Sequence, residues 1–132
     1  MKKIILILVI AAAAGFGGCD SIFNSHRVTI VNEDTDKYIT SVYYRNSAYS
    51  NEKWSKNQIY SDIEPGDSYQ ISLGNGTYDF RVFMEDSYYS YTLYARGVRV
   101  DYDFSLPFCY ECLNERDKAA VERVPKTQKR TD

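Results

Sequence analysis

Residues 69–84 read Tyr-Gln-Ile-Ser-Leu-Gly-Asn-Gly-Thr-Tyr-Asp-Phe-Arg-Val-Phe-Met. Tyr69, Ile71 and Leu73 recur at a period of two. Tyr78, Phe80, Val82 and Met84 repeat the pattern, with Asp79 and Arg81 opposite. Side chains alternate across a strand, so this spacing describes strands with one buried and one wet face. Gly74-Asn75-Gly76 between them predicts a hairpin, because glycine accepts the backbone angles of a tight turn. Working outward, residues 27–32 place Val28 and Ile30 on one face, and residues 38–45 are rich in β-branched and aromatic types. Val98, Val100, Tyr102 and Phe104 read as a further strand, with Arg99, Asp101 and Asp103 facing water as cross-strand ion-pair partners. Residues 88–94 are strand-like too. Their period assigns Tyr89, Tyr91 and Leu93 to the core and turns Tyr88 and Tyr94 outward, about 20 Å apart at 3.3–3.4 Å per residue.

The punctuation between these runs is that of an all-β chain. Glu64-Pro65-Gly66-Asp67 is a turn, since proline presets φ and glycine tolerates positive φ. Asp86-Ser87 and Arg96-Gly97 read as short connections of the same kind. No apolar stripe at helical spacing separates the strands, which excludes a parallel α/β sheet. The expected fold is a small antiparallel β-sandwich or curled sheet of about six to seven strands. Residues 46–57 form a long polar connection with a single tryptophan, Trp54, which reads either as the plug of the core or as a binding anchor. Asn114 is placed to cap a weak helix running to Arg123, stopped by Pro125, and residues 126–132 read as a polar, disordered tail.

At 132 residues the chain has room for one domain. A net charge of −2 argues against nucleic acid, which needs a basic face. Met1-Lys2-Lys3 precedes an unbroken apolar run from Ile4 to Ala14, followed by Gly15-Phe16-Gly17-Gly18-Cys19-Asp20. The run is shorter than the 17–25 residues a spanning helix needs, and the order of charge, apolar stretch and small residues is that of a secretory signal. It resembles the lipobox of bacterial lipoproteins, with Gly17 and Gly18 at the small positions and Phe16 in place of the usual Leu-like residue. The resemblance covers residues 1–20. It implies cleavage before Cys19, acylation of that cysteine with two or three chains, and anchorage in a lipid bilayer facing the periplasm or cell surface. Two chains hold a protein stably where one holds it only reversibly. In enteric bacteria an Asp at position 20 resembles the signal for retention in the inner membrane. Loss of residues 1–18 takes Lys2 and Lys3 from the 16 basic residues and leaves 14 against 18 acidic ones, a net charge of −4. The resulting division is a signal over 1–18, a lipidated tether over 19–26, a β-domain over 27–108 and a terminal segment over 109–132.

Within the β-domain, Val31-Asn32, Ile39-Thr40-Ser41-Val42-Tyr43, Trp54 with Asn57, Pro65-Gly66-Asp67-Ser68 and Tyr78-Asp79-Phe80-Arg81-Val82 form a pattern. It is similar to small bacterial β-domains of uncharacterised role, over residues 28–86, and it implies a fold and no catalytic residues.

Few residues carry chemistry. Cys109-Tyr110-Glu111-Cys112 suits a small structural disulfide, which would add about 2 kcal/mol by closing a short loop, or a thiol–disulfide redox site. A zinc site lacks ligands, since the remaining candidate is His26 on the tether. Asn32-Glu33-Asp34-Thr35-Asp36 begins like a calcium loop, but Lys37 and Tyr43 stand where glycine and glutamate are required, so it reads as an acidic, solvated hairpin loop. Thirteen tyrosines exceed what so small a core holds, and exposed Tyr88 and Tyr94, with Trp54, are candidates for contact with an envelope protein or glycan. No cofactor or metal is implied, and catalysis is not expected. The expected role is non-enzymatic binding or adaptor work at the envelope. The alternatives are a structural lipoprotein without a ligand and a periplasmic redox protein using Cys109 and Cys112.

Overall fold

The computed structural model describes residues 25–48 and 53–126. The signal, Cys19, Asp20 and the tether up to residue 24, residues 49–52 of the polar connection and residues 127–132 of the tail lie outside the described residues. Seven strands and one short helix follow in the order β1 (Ser25–Asn32), β2 (Tyr38–Asn46), β3 (Ser68–Gly74), β4 (Gly76–Glu85), β5 (Tyr89–Val100), β6 (Phe104–Phe108), α1 (Glu115–Ala120) and β7 (Glu122–Pro125). They form a three-stranded sheet, β3-β1-β6, and a four-stranded sheet, β2-β4-β5-β7. Every pairing is antiparallel except that of β1 with β6. The all-β, two-sheet architecture is the one expected.

The alternating runs supply the core. Val28 and Ile30 of β1, Ile71 of β3 and Leu106 of β6 join Phe80 and Val82 of β4 in one buried cluster. Each such side chain contributes roughly 1.5–3 kcal/mol by leaving water. Pro107 sits in β6 at the sheet edge, where its missing N–H costs no ladder hydrogen bond.

Several local expectations need correction. Gly74-Asn75-Gly76 does not close a hairpin: β3 pairs with β1 and β4 with β2 and β5, so the chain crosses there from one sheet to the other. The turn chemistry was legible, but two alternating strands joined by a short turn have the same pattern whether or not they pair. Arg96-Gly97 is not a connection. It lies inside β5, at a bulge where the register shifts opposite Tyr78 and Phe80. Gly97 adopts φ +66°, a left-handed conformation that a side chain would oppose. Asp79 Oδ1 accepts its N–H at 3.0 Å. The run from Val98 to Phe104 is likewise two strands, broken at residues 101–103, because Asp103 Oδ1 accepts the Arg27 N–H at 2.8 Å and steers the chain toward β1. Tyr102 is exposed at that break.

At the ends, β1 begins at Ser25, so His26 belongs to the sheet and not to the tether. His26 pairs with Leu73, and its Nε2 lies 2.6 Å from Asn75 Oδ1. Asn114 caps α1 as expected, its Oδ1 accepting the Asp117 N–H at 2.8 Å. The helix stops at Ala120 and not Arg123, since it buries no residue and the following segment gains ladder hydrogen bonds as β7 against β5. No described helix is long and apolar enough to cross a membrane.

Candidate functional site

Two constellations stand out, one at the Glu85 end of β4 and one around Arg81 at its middle. The first surrounds Lys37, in the turn between β1 and β2. That turn is not the solvated acidic loop its composition suggests. The Lys37 side chain is 1% exposed and Asp34 is buried beside it. Asn32, also buried, starts the turn: its Nδ2 donates to the carbonyls of Lys37 and Ile63, both at 2.8 Å, and its Oδ1 accepts the Asp34 N–H at 3.0 Å. The Asp34 carboxylate then reaches across the fold, accepting the N–H of Tyr110 at 2.8 Å and of Glu111 at 3.1 Å. Those two residues lie between Cys109 and Cys112, which are joined in a disulfide.

The Lys37 ammonium occupies the middle of this frame. Nζ donates to Glu111 Oε2 at 2.6 Å and Asp36 Oδ1 at 3.0 Å, and lies 3.7 Å from Asp34 and 3.9 Å from Asp86. The rings of Tyr91 and Tyr110 stand 5.1 and 5.2 Å from it. Tyr91 Oη in turn donates to Asp86 Oδ2 at 2.8 Å. Burial alone would drive the lysine toward its neutral form, but the hydrogen bonds to Glu111 and Asp36 and the charge of Asp34 outweigh it, so its pKa is raised. Burial, and then the bond to Asp86, raises that of Tyr91. Burial opposes ionisation of Asp86 as well, yet the N–H groups of Tyr88 and Tyr89 and the Tyr91 hydroxyl hold its pKa below the ordinary range. The Lys37 hydrogen bond does the same for Asp36 and Glu111.

A lysine held charged is a hydrogen-bond donor and not a nucleophile, which needs a lowered pKa. Asp34, Asp36 and Glu111 bring one oxygen each within 4.8 Å of one another, a spacing suited to a cation. Lys37 is that cation. The chemistry available here is therefore cohesion, joining the β1–β2 turn, the disulfide loop and β5. Beside it Tyr38, Asp62, Glu85 and Ser87 line an open groove of about 310 Å³.

The second constellation lies on the outer face of the four-stranded sheet. Tyr43, Arg81 and Tyr94 stand on one rung across β2, β4 and β5. The segment after β2 folds back along it, Ser55 N donating to the Tyr44 carbonyl at 2.8 Å and Gln58 N to that of Val42 at 2.9 Å. Trp54 is thereby laid over the arginines, its ring 4.3 Å from Arg45 Cζ and 4.7 Å from Arg81 Cζ, with Tyr94 at 6.2 Å. Trp54 is half-buried on this face and does not plug the core. The core is filled by side chains of both sheets' inner faces, and the long loop docks outside. Arg45 pairs with Asp79 directly opposite, Nε to Oδ2 at 3.3 Å, as the expected ion-pair pattern requires. Arg81 departs from that pattern. It stacks on Tyr43, Trp54 and Phe83, and its buried Nε has no hydrogen-bond partner among the described residues.

Of the residues singled out for partner contact, Trp54 and Tyr94 meet on this face, whereas Tyr88, 72% exposed, stands apart in the β4–β5 turn. Cys112 is exposed, and its N–H donates to Cys109 Sγ at 3.1 Å. The roles of Lys37 and Arg81 escaped the sequence reading. Acidic neighbours at positions 34 and 36 were visible, but Glu111 and Asp86 reach Lys37 only through the fold. A scan of protein-family models, a search of curated proteins and a search of solved structures each found no match to this chain.

Proposed function

We propose that this chain is a bacterial lipoprotein, anchored by acylated Cys19, whose β-sandwich is a non-enzymatic binding or adaptor module of the cell envelope. The order of residues 1–19 supports the anchor. The observation that carries the binding role is the way Tyr88 is offered to solvent. Its backbone N–H and that of Tyr89 both donate to Asp86 Oδ1 at 2.8 Å, and its carbonyl accepts from Lys126 N at 2.9 Å. An exposed ring on so firmly held a backbone loses little entropy when a partner covers it.

Cys19→Ser is the test of the anchor. It should abolish palmitate incorporation and move the protein to the soluble periplasmic fraction; a variant that stays with the membrane refutes acylation at this residue. Tyr88→Ser tests the module. Envelope partners recovered with the native chain should be depleted, and equal recovery, or none from either chain, favours a structural lipoprotein.

The exposed disulfide favours a second reading, thiol–disulfide exchange at Cys109 and Cys112. An insulin-reduction assay decides it. Turnover that vanishes in Cys112→Ser supports redox work, whereas a lowered melting temperature with no turnover leaves the disulfide structural.

A further inference from the structure

Arg81 and Arg96 are unpaired charges on the outer face. Neither makes an ion pair among the described residues, on a chain whose net charge is −2. Both are backed by aromatic rings: Arg96 Cζ lies 4.2 Å from the Tyr94 ring, beside the Trp54–Arg81 stack. Trp and Tyr are the residues of membrane–water interfaces, amphipathic rings that settle at headgroup depth, and guanidinium groups pair bidentately with phosphate.

The position of this face within the molecule selects its partner. Ser25, where β1 begins, pairs with Gly74 beside the crossover into β4, and Gly76 opens β4 opposite Val100. Along β4, Arg45 and Asp79 pair three residues further on, beside Arg96 and the Gly97 bulge, and Arg81 and Tyr94 pair five residues on, at mid-strand. Five residues separate Cys19 from Ser25, and the six steps between them reach about 20 Å when extended. Two packed sheets stand about 10 Å apart. A tether of that length holds this end of the sandwich at the bilayer and is long enough to pass around it to the outer face. The Lys37 end and Tyr88 lie toward the opposite end of β4, where Tyr38 pairs with Glu85.

We propose that the Trp54–Arg81–Tyr94–Arg96 face docks on the surface of an anionic phospholipid bilayer, with the arginines on lipid phosphates and the Trp54 and Tyr94 rings among the headgroups. This rests on the lipoprotein reading above. Docking lays the strands of the four-stranded sheet along the membrane, so that Tyr88, in the β4–β5 turn, is presented at the side of the domain.

Trp54 is the only tryptophan, so its fluorescence reports this face alone. The acylated full chain is reconstituted in phosphatidylglycerol vesicles, and the Cys19→Ser full chain is titrated with the same vesicles. Trp54 emission should shift to the blue and be quenched by brominated lipid in both. The Cys19→Ser chain should lose this response in phosphatidylcholine and in high salt. Arg96→Gln, at an exposed position, and Arg81→Gln should each weaken its partition about fivefold, while the acylated variants still float with vesicles. Flotation of the acylated chain with no quenching of Trp54 in either form overturns docking and leaves the anchor standing. A shift with an acidic polysaccharide and none with vesicles overturns it in favour of a glycan. Absence of acylation and of flotation removes the anchor and the docking with it.

Discussion

Lys37 Nζ donates to Glu111 Oε2 at 2.6 Å, across 74 residues of chain. The contact ties the turn between β1 and β2 to the loop closed by Cys109 and Cys112. Asp34 makes the same connection from the other side through the N–H groups of Tyr110 and Glu111. Removing the ammonium while leaving Asp34 in place strands a buried carboxylate, and breaking a buried pair in this way costs about 3–5 kcal/mol. Lys37→Met is therefore expected to lower the unfolding free energy from urea titration by that amount, although methionine is the more hydrophobic residue. A loss below about 1 kcal/mol would show that the ion cluster adds nothing to cohesion.

The same cluster dictates the pH profile. Asp86, Glu111 and Asp36 have pKa values lowered in the folded chain, so the unfolded chain binds more protons as acid is added. Their stabilisation is present above the ordinary carboxylate value of about 4 and is lost as pH falls below it. Lys37 and Tyr91 are raised, so their contribution is complete below about pH 10 and is lost as pH climbs beyond it. Urea midpoints should form a plateau through neutrality with a fall on each side. In Asp86→Asn the acid limb should be shallower. An unchanged acid limb would mean that other carboxylates govern acid unfolding.

Tyrosines three residues apart in β5 and its turn should respond in opposite ways. Tyr91 is 4% exposed, packs on Tyr110 with ring centroids 4.5 Å apart, and holds Asp86. Tyr91→Ser should destabilise by about 3–5 kcal/mol, the scale for deleting a buried aromatic. Tyr88→Ser should stay within about 0.5 kcal/mol, as surface changes do, and alter only partner recovery. Equal losses in thermal melts would show that the Tyr88 ring is packed and not presented.

That division was readable because period two is a local property: the alternation of residues 88–94 assigns Tyr91 and Leu93 inward and Tyr88 and Tyr94 outward, and the exposures agree. The Pro65-Gly66 turn and the Asn114 cap were readable for the same reason, each being a matter of three or four residues. What was not readable depends on distance in sequence. Lys37 among acidic residues has the composition of a solvated turn, and only the approach of Asp86, Tyr91, Tyr110 and Glu111 makes it a buried one. The crossover at Gly74–Gly76 was hidden because strand pairing leaves no trace in a single strand's pattern. β7 was hidden because Glu122-Arg123-Val124-Pro125 has no apolar face, and the edge of β5 supplies the hydrogen bonds that make it a strand.

Asn32 is the residue on which the whole Lys37 turn is hung, and its amide is irreplaceable for a specific reason. One side chain donates twice, to the carbonyls of Lys37 and Ile63, and accepts once, from the Asp34 N–H. Its backbone is committed as well, donating to the Asp67 carbonyl at 2.9 Å and accepting from Gly66 N at 2.8 Å. Asn32→Ala orphans two buried backbone groups, the Lys37 carbonyl and the Asp34 N–H, each costing about 1–3 kcal/mol when unpaired, while the Ile63 carbonyl keeps its bond from Ile39 N. The expected loss is at least about 2 kcal/mol in urea unfolding. Asn32→Asp keeps the shape and separates packing from hydrogen bonding. A carboxylate accepts but does not donate, so it faces two carbonyl oxygens and adds a buried negative charge close to Asp34. Asn32→Asp should therefore be at least as damaging as Asn32→Ala at pH 7, and should recover partly as pH falls and the carboxyl gains a donor proton. If Asn32→Asp is the milder substitution at neutral pH, the two donated bonds are not what holds the turn. Shape alone would then suffice to bury Lys37.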